Sequence, residues 1–407
     1  MSVRLRHVAA VNPTTPEFDA LADDAEMPFL PLEAVWPGAR LDLTRRRPKS
    51  EVATGYTRFR EGDILVPKIT PTFQADRTVI AQGVEGGVGA GTTELHVVRA
   101  GGRVEARYLR YLLSSKPFLD EGEAAMVGVA GQKRVPDDCL SNLAIPVVDP
   151  GSQRAIADYL DVETARIDAL IEKKRRMVEL LEERLRAEVD HLTRSEEQPE
   201  VPLRRFVAEA CDGPFGSALK TEHYADWGAR VIRLGNIGVA TWRDDDVAFI
   251  PIPYWMNLGR HHASTGDLVI AGLGDEGNPV GRACVLPDLG PALVKADCYR
   301  LRIRPEVGDS TYLAWHLSSP RALANAARVA EGSTRARLTL GKALSLPVPL
   351  LAVERQRAIA SCLVNGAAAV ERLNGQVRRE LSLLTERRQA LITAAVTGEL
   401  AIPGVAA

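Results

Sequence analysis

The sequence holds five cysteines, Cys139, Cys211, Cys284, Cys298 and Cys362, and no two of them form a CxxC pair. This excludes zinc-knuckle spacing, argues against a disulfide framework and points to a reducing compartment; no metal site is expected. No apolar run approaches the ~20 residues of a membrane span, so no membrane partner is expected. The opening MSVRLRHVAAVNPTTPEFD lacks an uninterrupted apolar stretch and does not read as a signal peptide, so a cytoplasmic location is the expectation. An excess of one charge is also lacking: 51 Lys and Arg stand against 53 Asp and Glu. That is not the footprint of a stand-alone nucleic-acid binder, although local patches and partner subunits also count.

Catalytic signatures are missing too. There is no GxxxxGK[ST], HExxH or GxSxG, and no cluster of His and Cys. The run Gly86-Gly87-Val88-Gly89-Ala90-Gly91 is followed by Thr92-Thr93-Glu94-Leu95-His96-Val97. That reads as a strand, where a dinucleotide site needs a helix N-terminus. Gly83 to Gly91 is therefore read as a loop. His261-His262 reads as a solvated pair beside a turn rather than a ligand set. No catalytic residue is assigned, and no cofactor is expected on this chain.

What the sequence does contain is a repeat. Gln153 to Leu192 has no proline or glycine and is dense in Leu, Ala, Glu, Lys and Arg, which lose little freedom in a helix. Ile156, Leu160, Ile167, Leu170, Met177, Leu181, Leu185 and Leu192 recur at helical steps. Gln356 to Val396 repeats the pattern with Ile359, Leu363, Val370, Leu373, Val377, Leu381, Leu384 and Leu391. Both stretches open on the letters QRAIA, 203 residues apart. Two helices of about 60 Å at 1.5 Å per residue each need a long partner, and an antiparallel coiled coil supplies it. The alternative is two unrelated amphipathic helices in separate cores.

The globular stretches repeat as well. Gly62-Asp63-Ile64-Leu65-Val66 matches Gly266-Asp267-Leu268-Val269-Ile270 at an offset of 204, as Tyr108 to Ser115 matches Tyr312 to Ser319. Leu143-Ala144-Ile145-Pro146 matches Leu344-Ser345-Leu346-Pro347 at 201. Asp42 to Arg60 reads as basic and turn-rich, and Arg194 to Pro199 as a linker.

Four places suit contact with nucleic acid. Gly213 to Lys220 puts Ser217 and Lys220 on a glycine-containing turn that lets N–H groups and a cation approach phosphate. Gly332-Ser333-Thr334-Arg335-Ala336-Arg337 offers hydroxyls and two guanidiniums, and arginine reads guanine bidentately. Its counterpart is Gly131-Gln132-Lys133-Arg134. Lys68 and Thr70, with Gln74, follow the Ile64 strand. Each loop alone is as readily a solvated loop. A basic, hydroxyl-bearing loop at one place in both repeats favours contact.

These residues resemble the specificity subunit of type I restriction-modification systems over nearly the whole chain. Ile145-Pro146 through Gln153 to Asp161, continued by Thr164 to Ile171, looks like the family's entry into a conserved-region helix. So does Leu346 to Pro349 followed by Glu354 to Ala360. Gly213 to Lys220 with Val231 to Ile237, and Gly55 to Leu65, look like starts of target recognition domains. Ala352-Val353 before Gln356, where a second proline is more usual, and the soft Val364-Asn365-Gly366-Ala367 depart from the pattern.

The resemblance implies an α+β chain with two similar mixed α/β target recognition domains, separated by a pair of long antiparallel coiled-coil helices, with internal pseudo-twofold duplication. It implies recognition domain 1 over 1–148, helix 1 over 149–198, recognition domain 2 over 199–350 and helix 2 over 351–407. It further implies a non-enzyme that reads a bipartite, asymmetric target in double-stranded DNA. Two methyltransferase subunits carrying S-adenosylmethionine would dock on it, with endonuclease/translocase subunits that use ATP and Mg. A non-catalytic coiled-coil scaffold without base readout is the competing reading. A stand-alone enzyme is a third.

Overall fold

The structure, a computed structural model, describes residues 2–36, 40–129, 132–146, 148–194, 198–332 and 335–405. The chain forms two compact units: residues up to Arg176 together with those from Val377 on, and Met177–Gln376.

In the first unit, an antiparallel sheet orders Ala9–Val11, Leu95–Ala100, Ile64–Pro67 and Val79–Ile80. A mixed sheet orders Arg46–Pro48, Glu26–Leu30, Val88–Gly91 and Thr57–Arg60, with its central pair parallel. The strand Ser2–Arg4 pairs with Ala144–Pro146. The second unit has the same plan. One sheet orders Val207–Cys211, Cys298–Ile303, Leu268–Ala271 and Ala283–Val285. The other orders Phe249–Ile250, Ala229–Ile232, Ala292–Val294 and His262–Ala263, again with a parallel centre. Glu200–Pro202 pairs with Pro347–Pro349.

The repeated Gly-Asp letters have a physical reason. Gly62 and Gly266 both sit at φ 84, where a Cβ is disfavoured. The aspartates that follow are buried, and each closes its turn: Asp63 accepts from Arg60 N at 2.9 Å, and Asp267 from Ser264 N at 2.9 Å. Arg99 grips Asp63 with two guanidinium nitrogens at 2.7 and 2.8 Å, and Arg302 approaches Asp267 at 3.4 Å. The core of each sheet then follows from runs such as Ile64 to Val66 and Leu268 to Ala271, which are fully buried.

The two long helices span Pro150–Thr193 and Val353–Thr397. Pro150 opens the first at a position that needs no N–H, and Asp149 accepts from the N–H groups of Gly151 and Ser152 at 2.9 and 3.1 Å. The shared QRAIA letters are a buried clamp. Gln153 accepts from Glu105 N at 2.8 Å and donates to the carbonyls of Arg103 and Val148. Gln356 accepts from Asp309 N at 3.0 Å and donates to the carbonyls of Val307 and Leu351. Each amide thereby fixes its helix to the N-terminus of a short helix, Ala106–Leu112 or Ser310–Leu317, capped by Glu105 or Asp309.

Within the first unit the two helices run antiparallel, since Asp168 meets Arg388 at 3.0 Å and Lys174 meets Glu380 at 2.6 Å. The apolar stripe is narrower than its periodicity suggests. Ile156, Leu160 and Ile167 are buried, but Leu170 and Met177 are exposed at 47% and 38%. In the second unit Val189 and Leu363 are buried against Trp315.

Three sequence expectations are corrected here. The glycine run is not all loop: Val88–Gly91 is a buried central strand. Its glycines admit close neighbours, because a Cβ on Gly89 would fall 2.4 Å from the Phe59 ring and one on Gly91 2.8 Å from the Leu30 carbonyl. The match of Leu143 to Leu344 is slipped by two residues. Leu5 N donates to Leu143 O and Leu203 N to Leu346 O, so the true equivalents are Leu143 and Leu346. A Leu-x-x-Pro pattern repeated within Leu344 to Pro349 admits both registers, and a slip of two preserves the faces. Asp42 to Arg60 holds two strands, and most of its six cations are ion-paired with carboxylates elsewhere, among them Arg45 with Glu33, Arg46 with Glu85, Arg58 with Asp19 and Arg60 with Glu17. The linker residues Ser195, Glu196 and Glu197 lie outside the described residues.

Candidate nucleic-acid interface

In the first unit the structure brings Lys68, Thr70, Lys133 and Arg134 into one knot. Thr70 N donates to Lys133 O at 3.0 Å, and Lys133 N donates back to Thr70 Oγ1 at 3.3 Å. Val135 N donates to Lys68 O at 2.8 Å. Gln132, Lys133 and Arg134 are exposed, and Lys68 is half-buried. Arg134 is engaged at its fork: Nε and an Nη reach the Glu94 carboxylate at 2.9 and 2.7 Å. That bond holds the Glu94 carboxyl below the usual carboxylate range. Gln74 donates to Glu123 at 2.5 Å. Gly131 lies outside the described residues.

The second unit has a matching knot. Leu338 N donates to Gly272 O at 2.8 Å, and Gly274 N to Ala336 O at 3.1 Å. Arg337 pairs with Asp297 at 2.9 Å. Glu94 and Asp297 each stand directly before the longest strand of their unit, and each binds the arginine forty residues later. Arg134 and Arg337 thus hold the loop in both units, and Arg335 projects exposed from the second. A Cβ on Gly332 (φ 99) would fall 2.8 Å from Arg335 O, which accounts for the glycine. Ser333 and Thr334 lie outside the described residues. The matched positions differ in chemistry: Lys68, Thr70 and Lys133 correspond to Gly272, Gly274 and Ala336.

Gly213 to Lys220 converges on the same second-unit knot. Asp212 Oδ1 accepts from Gly213 N at 2.7 Å and Asp297 N at 2.9 Å. Burial pushes its carboxyl up to about 6. Gly213 is required because a Cβ there would fall 2.0 Å from the Lys295 carbonyl carbon. Lys220 is exposed and, with Lys295, Tyr224 and Thr221, lines a concavity of about 520 Å³. The side chain of Ser217 lies outside the described residues. The histidine pair is structural rather than solvated: His261 Nδ1 lies 2.6 Å from Asp212 O, and His262 stacks on Trp255 at 3.8 Å between centroids. A position beside a turn conceals such packing.

Sequence reasoning missed Glu94, Asp297 and Lys295. It also missed His96 and Tyr299, which do one job with different chemistry. His96 Nε2 lies 2.9 Å from Val135 O, and the Tyr299 hydroxyl donates to Leu338 O. The recurrence of an acid and an arginine at identical spacing was the available signal for Glu94 and Asp297. Among the described residues no group of three His, Cys, Asp or Glu can hold a metal, and no helix is long and apolar enough to cross a membrane.

No family model matches the sequence. The chain is 37% identical over 157 residues to the type I restriction enzyme EcoEI specificity subunit of Escherichia coli, covering 38% of this chain and 25% of that one. It is 37% identical over 146 residues to the EcoAI specificity subunit of the same organism, covering 35% and 24%. The matches therefore span about a quarter of either relative's length. In fold it resembles a chain solved in work on complex assembly and conformational transition of the type I R-M system, with TM-score 0.77 at 16% identity over 98% of both chains. The HsdS subunit from Thermoanaerobacter tengcongensis aligns with TM-score 0.55 at 16% identity, covering 98% of this chain and 97% of that one. The relatives in sequence are type I specificity subunits, and the chain has the HsdS fold.

Proposed function

We propose that the chain is the non-catalytic, DNA-reading subunit of a type I restriction-modification complex. The observation that carries this is one loop framework built twice with different chemistry. Arg134–Glu94 and Arg337–Asp297 hold equivalent loops, while the residues presented at matched positions differ. A framework of that kind reads two unlike half-sequences, and so a bipartite, asymmetric target. Lys68, Thr70, Gln132, Lys133 and Arg134 would face one half; Ser217, Lys220, Arg335 and Arg337 the other. The helix pair would set the unread gap, one turn of DNA being about 34 Å. Two methyltransferase subunits would supply S-adenosylmethionine and the adenine chemistry, and endonuclease subunits the ATP-dependent cleavage. They would also supply part of the grip on phosphate that a net charge of -2 leaves out.

Expression with the neighbouring methyltransferase in a methylation-free host, followed by mapping of modified adenines, tests this. Two short defined halves around a fixed gap are expected. A complex that assembles and binds S-adenosylmethionine yet adds no methylation would leave the scaffold reading.

A further inference from the structure

In the first unit one guanidinium joins three segments. Arg388, on the second long helix and 12% exposed at its side chain, meets Asp168 of the first long helix at 3.0 Å and Asp76 at 3.6 Å. Asp76 ends the turn that begins at Lys68. That turn is tightly wound: Phe73 N donates to Ile69 O, Ala75 N to Pro71 O and Asp76 N to Phe73 O. Asp76 sits at φ 45, a conformation a non-glycine residue keeps only when its surroundings hold it. The Asp76 carboxylate is as buried as its partner, and Arg110, also buried, is the other cation facing it. On the other side of the turn Phe73 is buried against Phe118 and Gly122. Beside Arg388, Gln389 donates to Ser114 O at 2.7 Å. A buried guanidinium between two carboxylates is costly to assemble without purpose, because apolar packing does the same holding at least as well. The second unit has no such pair: the position matching Arg388 is Leu185, and the strand register, which sets Val79 and Ile80 against Cys284 and Val285, makes the position matching Asp76 Gly281, likewise at positive φ (φ 84).

We infer that Arg388 is a positioning residue for the first unit's recognition loop, setting through Asp76 how Lys68, Thr70 and Gln74 are presented. This rests on the DNA-reading function proposed above. Its consequence is confined to one half of the target, because the second unit has no such ion pair at the matching place.

The test is the methylome of the assembled complex with Asp76→Asn, which keeps shape and leaves the Arg388–Asp168 pair intact. The half-sequence read by the first unit is expected to relax by about tenfold at one or more positions, a usual size for coupling through a packed network. The other half and the gap should stay unchanged. Arg388→Met also releases Asp168, but only the Asp76 contact reaches the loop, so it and the double variant should relax the same half no further. Two halves that stay sharp, two that relax together, or additive losses would overturn the assignment. Hydrogen exchange on the full chain gives a second readout that needs no DNA. Asp76→Asn should speed exchange at the amides of Phe73, Ala75 and Asp76, and unchanged protection there would equally overturn it. A wild-type complex that reads no split sequence would refute the DNA-reading function instead, with the exchange result still deciding the loop.

Discussion

The two units solve one packing problem in opposite ways. In the first, the cleft between the helix pair and the sheet domain is about 670 Å³; Asp76, Asp168, Glu172, Arg175, Glu386 and Arg388 line it with Leu119 and Ile171. The equivalent cleft of the second unit, about 740 Å³, has Leu185, Val189, Val239, Trp315, Leu323 and Val370 beside Glu182, Arg186 and Glu371. The backbone plan is shared, and Gln153 and Gln356 clamp it in the same way. What differs is whether direction or area holds the domain: an ion pair fixes geometry, whereas an apolar contact stabilises without specifying one register. The duplicated fold therefore keeps the clamp amides Gln153 and Gln356 and the turn glycines Gly62 and Gly266, and lets the contacts above them diverge.

The largest effect is expected from Trp315→Ala, which empties the apolar side and should cost the second unit about 3–5 kcal/mol, seen as a fall in one thermal transition with the other unmoved. At the matching position, Tyr111→Phe removes only the hydroxyl that donates to Asp161 at 2.7 Å, and should cost the first unit about 1 kcal/mol. Arg335→Ala should lose ~1–3 kcal/mol of discrimination at one base pair of the second half. Unchanged methylation there would remove Arg335 from the set.

The pH response separates the units next. Burial lowers the pKa of His96 in the first unit and His316 in the second. Each is held neutral in the fold and takes up its proton more readily once unfolded. Stability is then full above the ordinary imidazole value of about 6.5 and falls as pH drops below it. His96→Tyr, which copies Tyr299, should abolish the first unit's share of that loss between pH 7 and 5 and leave the second's. The smallest effect is Lys220→Ala: binding weakens for every sequence, and the log–log salt slope flattens by about one unit.

The long helices, the duplication and the strands after Gly62 and Gly266 were legible because their causes are local: periodicity, absence of helix breakers, a φ that only glycine adopts freely. The strand Val88–Gly91 was not, because its glycines answer to Phe59 and Leu30, distant in sequence. The loops around Lys68, Lys133, Lys220 and Arg335 were found by composition. Composition does not show that Arg134 and Arg337 are held by Glu94 and Asp297, and it gave no hint of Lys295, which enters through tertiary proximity to Gly213. The equivalence of His96 and Tyr299 has no trace in residue type, only in the carbonyl both reach.

The connectivity of the units carries a consequence for synthesis. The second unit is one continuous stretch, Met177–Gln376, whereas the first is completed only by residues from Val377 on. Ile392, Ala395, Val396 and Ile402 belong to the same core as Leu5, Ile64 and Tyr108. A ribosome delivers that last layer after the whole inserted unit. The first unit must therefore wait with its core unsealed, closing contacts of nearly the greatest separation the chain allows, which are the slowest to form. The ion pair of Arg388 with Asp76 cannot form until the whole second unit has been made.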